Sequence, residues 1–451
     1  MIVLLSIPAL RASDVAHMPR LAALTASGGA ATLTPSFPCV TWPVQANMLT
    51  GCLPREHGVV ANGFYWREQQ SVEMWTASNE RIERPQIWDL LHQRDPAVTS
   101  AVWFPMLSKR CGADYVCMPA PVHNPDGSES LWCYTKPTEL YGTLRESLGD
   151  FPLQHFWGPM ANIRSTAWIV DSAIRAAGQF KPQFFYVYLP HLDYASQKFG
   201  PDSFQQMQAV QELDEQIGKL VDGFGEVYAP HELVWLAASE YAVTPVQHVL
   251  YPNRMLRDAG LLRVREEAGE EYLDFANSDA WCLVDHQFSH VFVRNQQADV
   301  IQRVRQLFAN TNTHTNTDTH VAGIAEVLVG ADRAKYGMDH ARSGEVILIS
   351  TPDSWQAYYW WQDDRRAPPF ARSVDIHRKP GYDPVELFID LPTKSIPLDA
   401  TLVRGSHGAP ATSLAQKGVL LTSQAGLLTR TEFVDTDIAA LVLEWIGRGA
   451  V

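Results

Sequence analysis

The chain predicts an α/β protein with a mainly parallel sheet covered on both faces, plus an inserted α+β cap. Two observations predict the core: short, wholly apolar runs bounded by turn residues, and helical patterns lying between them. A strand buried on both faces reads as a continuous apolar run rather than as an alternation. A third observation predicts the cap, because from about residue 250 to 342 the pattern changes to hairpin-like strands. A chain of 451 residues suits one large domain with an insertion, or two domains.

Taken in order, "IVLLSI" (2 to 7) reads as the first core strand, followed by "TSAVWF" (99 to 104), "FFYVYL" (184 to 189), "LVWLAA" (233 to 238) and "VILIS" (346 to 350). Between them "QIWDLLHQ" (86 to 93), "STAWIVDSAIRAAGQ" (165 to 179) and the segment 203 to 224 carry apolar residues every three or four positions, the helical period, with Ser203 placed to cap the last. "EEYLDFA", "AWCLVD" and "SHVFVR" read as paired strands, and "ADVIQRVRQLFAN" as a helix beside them. The expected division is therefore core 1 to 245, cap 246 to 342, and core again 343 to 451, with "VILIS" returning to the main sheet. "NTNTHTNTDTH" (310 to 320) is a polar connector in which His314 and His320 are expected to be solvated rather than metal-bound.

A formal net charge of -14 argues against nucleic acid or an anionic membrane as a partner, since either favours a basic face. No apolar run approaches the roughly 18 residues of a membrane helix. The opening segment lacks a basic n-region and a cleavage site, so the expected location is the cytoplasm. The six cysteines include no CxxC pair and are expected to be reduced, with Cys111 and Cys117 as the one spacing suited to a bridge.

The stretch "TLTPSFPCVTWPVQANMLTGCLPREHGVVANGFYWR" (32 to 67) carries the chemistry. Thr41 reads as the N-cap of a short helix that Gly51 ends. A hydroxyl there faces free backbone N–H groups and the positive end of the helix dipole, where a phosphoryl group would be held. Taken alone, a capping role outweighs a nucleophilic one.

The motifs "PSFPCVTWP" and "LTGCLPREHGVVANGF" resemble the nucleophile region of the nucleotide pyrophosphatase/phosphodiesterase family within the alkaline phosphatase superfamily, and the likeness extends to "GPDSF" and "GSHG". The resemblance implies an alkaline phosphatase-like α/β/α core, Thr41 as the nucleophile and Asn62 as the donor to a phosphoryl oxygen. It also implies two zinc ions, whose ligands carry over incompletely. Pro8 and Ala9 stand where the family has Asp-Gly, and Gln197 stands where the histidine four residues after Asp193 belongs. Ser239, Glu240 and Tyr241 replace Ser-Asp-His, while "GSHG" supplies His407. The expected cofactor is thus at most one divalent ion, zinc, manganese or magnesium, or none. Its candidate ligands are Asp193, His407, Glu240, Gln197 and, by its spacing beside Asp193, His191.

A second polar cluster, "ARSVDIHRKPGYDPVELF" (371 to 388), offers His377 as an acid or base and Arg378 and Lys379 as an anion clamp; an ordinary salt-bridged surface loop is the equal alternative. With Tyr241 these three complete the candidate substrate contacts. "SWQAYYWWQDD" (354 to 364) reads as core packing in preference to a pocket wall, and His57 as structural. Two functions follow from the resemblance. One is a divergent hydrolase acting on a small phosphorylated or anionic metabolite through Thr41, with Glu240 as ligand or base. The other is an inactive or repurposed member that binds a small anionic ligand or a partner in the old cleft.

Overall fold

A computed structural model describes residues 1–123, 129–309 and 323–448. In chain order its main elements are β1 (Ile2–Ile7), β2 (Gly29–Thr34), α1 (Thr41–Thr50), α2 (Ile87–Arg94), β3 (Ser100–Trp103), β4 (Tyr115–Pro119) and β5 (Cys133–Lys136). Then come α3 (Ile163–Phe180), β6 (Phe184–Tyr188), α4 (Asp193–Phe199), α5 (Phe204–Gly225) and β7 (Val234–Ser239). The chain continues through β8 (Ala280–Asp285), β9 (Phe288–Val293), α6 (Ala298–Ala309), β10 (Ile324–Val329) and β11 (Val346–Ser350), and closes with β12 (Gly418–Thr422), β13 (Glu432–Val434) and α7 (Asp437–Arg448).

Nine strands form the central sheet in the order β13-β2-β12-β7-β1-β6-β3-β4-β5. β7, β1, β6, β3 and β4 run parallel, and β12 and β5 enter antiparallel. Every residue of β1, β6 and β7 is buried, as their unbroken apolar runs require. Helices α3 and α5 pack together on one face; α1, α2 and α7 form the layer on the other. Asn162 caps α3 and Ser203 caps α5, each side chain accepting from a backbone N–H of the first turn, so the cap expected at Ser203 is present.

A second sheet, β8-β9-β11-β10, is antiparallel and carries α6 against it. Here the sequence expectation is corrected: "VILIS" is β11, paired with β9 and β10, and does not return to the main sheet. The apolar run is as buried as a core strand would be, and burial alone cannot say which sheet does the burying. The apolar cluster of this second unit comprises Met74 and residues from Val246 to Val403, and includes Trp355, Tyr358, Tyr359, Trp360 and Trp361, so the aromatic run packs as core. Only at β12 does the chain rejoin the central sheet. His314 and His320 lie outside the described residues. Cys111 and Cys117 are free thiols, as are the other four cysteines.

One buried carboxylate ties the Pro-rich turn and α1 to the C-terminal segment. Asp435 accepts from Ser36 N (2.9 Å), Ser36 Oγ (2.6 Å), Asn47 Nδ2 (2.7 Å) and Thr436 N (2.9 Å). Asn47 Oδ1 in turn accepts from His57 Nε2 at 2.7 Å, and His57 Nδ1 accepts from Val59 N at 3.1 Å. With both ring nitrogens committed and burial excluding the charge, His57 is a neutral structural residue whose pKa is pushed down to about 3.

Two outcomes are expected. Asp435→Ala strands several buried donors and should cost about 3 kcal/mol in urea unfolding. His57 takes up a proton near 6.5 in the unfolded chain and near 3 when folded. Below pH 6.5 the unfolded state therefore binds more protons, and stability falls as pH drops; the loss should reach about 2 kcal/mol at pH 5, and His57→Gln should remove it from urea curves taken at pH 5 and 7.

Candidate active site at the ends of the central strands

Three adjacent parallel strands deliver the site. β7, β1 and β6 end in register, with Ile7 beside Ser239 and Ser6 beside Tyr188, so the segments that follow them emerge at one edge of the sheet. Ligands of open α/β sheets gather at this edge, beyond the carboxyl ends of the strands. Glu240 and Tyr241 follow β7, Pro8 and Ala9 follow β1, and Asp193 opens α4 a few residues after β6. Ala9 keeps a left-handed backbone, φ 60°, a conformation that glycine adopts without strain.

Thr41 is the first residue of α1, and Val40 holds the cap position in extended conformation. The expected capping bond from Thr41 is absent. Its hydroxyl instead lies 3.0 Å from the phenol oxygen of Tyr241. That phenol donates to Asp193 Oδ1 at 3.3 Å, and Gln197 Nε2 donates to Asp193 Oδ2 at 2.9 Å. Gln197 Oε1 accepts from Tyr382 at 2.6 Å. The result is a continuous chain of neutral donors running from Thr41 and from Tyr382 to one carboxylate.

His407 sits beneath this chain. Its ring stacks on Tyr241 with centroids 3.7 Å apart and planes 7° from parallel, and lies 4.0 Å from the ring of His286. Nδ1 donates to the Cys39 carbonyl at 2.7 Å, which leaves Nε2 as a lone-pair acceptor; it is buried, makes no hydrogen bond, and lies 3.8 Å from Asp193 Oδ1. Burial keeps both imidazoles well below their ordinary pKa and therefore neutral.

Asn62 lines the cavity but is already engaged. Its Oδ1 accepts from Trp42 N at 3.1 Å, and its own N and Nδ2 donate to Asp285 at 2.8 and 3.2 Å. Asp285 also accepts from His286 Nδ1 at 2.6 Å. Neither residue stood out in the sequence, although "VDHQ" put two ionisable groups at the tip of an otherwise apolar hairpin, β8–β9. Tyr382, which caps the Gln197 amide and stacks on His286 at 3.7 Å, was also missed.

The remaining candidates are dispersed. Glu240 turns under the sheet, where Oε1 accepts from Ser6 Oγ (2.7 Å) and Gln45 Nε2 (2.8 Å). It does not line the cavity that holds Thr41. Burial pushes its pKa up to about 8, and that of Asp193 up to about 6. His191 bonds Glu212 at 2.8 Å and opens onto a separate cavity on the other side of Pro190 and Tyr194. His377 and Arg378 line an outer groove with Tyr272 and Phe370. Lys379 is buried behind the cavity wall, where Nζ donates to Asp383 (2.9 Å) and Glu386 (2.5 Å).

The cavity above Thr41 has a volume of about 310 Å³. Its described wall is largely aromatic, with Trp75, Phe156, Trp157, Tyr188, Tyr194 and Tyr382 among its rings. Asp193, Asp383 and Glu386 are among its lining residues, the last two ion-paired to Lys379, and no described lining residue is Lys or Arg.

The same architecture recurs in solved structures. Phosphonoacetate hydrolase of Sinorhizobium meliloti 1021, in complex with phosphonoformate, superposes with a TM-score of 0.60 at 12% identity, over 98% of this chain and 94% of that one. Murine ectonucleotide pyrophosphatase/phosphodiesterase 5 does so with a TM-score of 0.61 at 14% identity, over 99% and 95%. Its inactive form in complex with AMP gives 0.61 at 13%, over 99% and 94%. The chain therefore shares their fold. Residues 2–383 match the type I phosphodiesterase/nucleotide pyrophosphatase family, and the chain belongs to it. An uncharacterised pyrophosphatase/phosphodiesterase of Schizosaccharomyces pombe is 25% identical over 218 residues, 47% of this chain but only 38% of the length of that protein.

Because the phenol of Tyr241 joins Thr41 to Asp193, Tyr241→Phe should lower stability by about 1 to 2 kcal/mol in urea unfolding, two hydrogen bonds being lost at a mostly buried site. A change below a few tenths would mean that the phenol does not bridge them.

Proposed function

We propose that this family member holds a small molecule in the cavity above Thr41 without the two-zinc phosphodiester chemistry that the family resemblance implies. The observation that carries the reading is the hydrogen-bonded chain Thr41–Tyr241–Asp193–Gln197–Tyr382, which occupies the groups a metal would need. A catalytic zinc takes three protein ligands from His, Asp, Glu or Cys and keeps one position open. For the first ion, Asp193 and His407 are present, but both ends of the Gln197 amide are spent on Asp193 and Tyr382. For the second, the Glu240 carboxyl is held by Ser6 and Gln45, Pro8 offers no donor, and the Tyr241 phenol lies against the Thr41 hydroxyl. Among the described residues no three His, Cys, Asp or Glu side chains gather as a metal site. The donor set does not fit the zinc pair.

The second reading, hydrolysis through Thr41, draws on the same chain. Thr41 donates to Tyr241 and Tyr241 to Asp193, a path along which a proton could leave the hydroxyl as it attacks. What opposes it is charge. A phosphoryl group entering this cavity meets the Asp193 carboxylate and no described lining Lys or Arg, while Lys379 is held by Asp383 and Glu386 and is not available to the charge that develops in the transition state.

Bis(4-nitrophenyl) phosphate and 4-nitrophenyl phosphate, each with zinc, manganese or magnesium, separate the two readings. The expected result is no turnover above that of Thr41→Ala; metal-dependent turnover lost in Thr41→Ala would overturn the proposal. The triple change Pro8→Asp, Gln197→His and Tyr241→His restores the family's missing donors and is expected to raise bound zinc, measured by inductively coupled plasma mass spectrometry, from below about 0.1 ion per chain to about one or more.

A further inference from the structure

The geometry points to a protonated organic amine on an apolar or aromatic body as the ligand of the cavity above Thr41, its ammonium group seated against Asp193. This rests on the proposal that no metal pair occupies that site, and it goes further by naming what does.

The argument begins with what Asp193 lacks. Its carboxyl group has 15% of its side-chain surface exposed and, among the described residues, receives only neutral donors, a phenol on one oxygen and an amide on the other. A mostly buried carboxylate without a cationic partner is a costly arrangement in an unliganded protein, and a cation relieves it. An ammonium has three N–H donors and no lone pair, which is what such a carboxylate lacks. Lys379 does not fill this role, because its Nζ is spent on Asp383 and Glu386 behind the wall.

The walls supply the rest. Tyr188, Tyr194, Tyr241 and Tyr382 all lie near enough to feel the Asp193 charge, and all four line the cavity. Aromatic rings beside a carboxylate favour an organic cation through the ring quadrupole, Tyr241 and Tyr382 each keeping one face against His407 and His286, and Trp75 and Trp157 add apolar lining for its body. The volume of about 310 Å³ lies at the lower end of ligand pockets, which suits a small molecule. An anion meets the Asp193 carboxylate with no described Lys or Arg among the lining residues, Asp383 and Glu386 being ion-paired to Lys379.

Three probes of one shape test the inference by isothermal titration calorimetry on the full chain with a chelator present: 2-phenylethylammonium, 2-phenylethanol and 2-phenylethyl phosphate. The expected ranking is ammonium first by at least about tenfold over the alcohol, with the phosphate not measurable, and Asp193→Asn should remove the preference for ammonium over alcohol. Ammonium no tighter than the alcohol, no ammonium binding at all, or tighter binding of the phosphate would each overturn it, as would an unchanged preference in Asp193→Asn. The wild-type ranking needs no variant, so misfolding of Asp193→Asn leaves it decisive. Phosphate binding without turnover would sink this inference and leave the absence of phosphodiesterase chemistry standing; turnover of the nitrophenyl esters would sink that reading first.

Discussion

Everything at this site depends on where the Tyr241 phenol sits. It emerges from the end of β7, crosses to the hydroxyl at the start of α1, reaches the carboxylate at the start of α4, and lies flat on His407. One side chain thus touches three separately delivered segments. A phenol is a directional donor and a rigid ring, so it fixes spacing as well as satisfying polarity. A divalent cation could link the same groups only if several ligands converged on it, and here the groups are engaged with one another instead.

That substitution has electrostatic consequences which spread outward. With no described Lys or Arg among Asp193, Glu240 and Asp285, burial outweighs the hydrogen bonds that favour their charged forms and lifts all three carboxyl groups above their ordinary range, to about 6, 8 and 6. His286 and His407 are driven the other way, toward the neutral form. The site consequently stores its polarity as hydrogen bonds between uncharged or weakly charged partners. Such a network is rigid when fully satisfied, and its few unsatisfied atoms stand out. The Nε2 atom of His407 is one of them, and Glu240 Oε2 is another.

The scaffold around the site is firmly built. Asp435 pins the Pro-rich turn and α1 to the chain's C-terminal segment, and the β8–β9 hairpin brings Asp285 against Asn62 from the second sheet. Gln287, at the same hairpin tip, donates its backbone N–H to the His407 carbonyl at 3.0 Å. The second unit is thus more than a cover, since its tip holds Asn62 and His407 in place.

By itself the sequence determined the α/β class, the strands β1, β3, β6 and β7, the helices that cover them, and the cap on α5, because unbroken apolar runs, helical periodicity and Ser203 are local signals. It also located Thr41, Asn62, Asp193, Gln197, Tyr241 and His407, all of which the fold brings into one neighbourhood. Only the tertiary structure decided that "VILIS" belongs to the second sheet, since a buried apolar strand carries no mark of its partner. Only it turned Glu240 away toward Ser6 and Gln45, placed His191 against Glu212, and set Lys379 behind the wall. Asp285, His286 and Tyr382 became visible only there as well. Long-range hydrogen bonds choose such partners after the backbone has been laid down, and residue type at one position says little about a partner two hundred positions away.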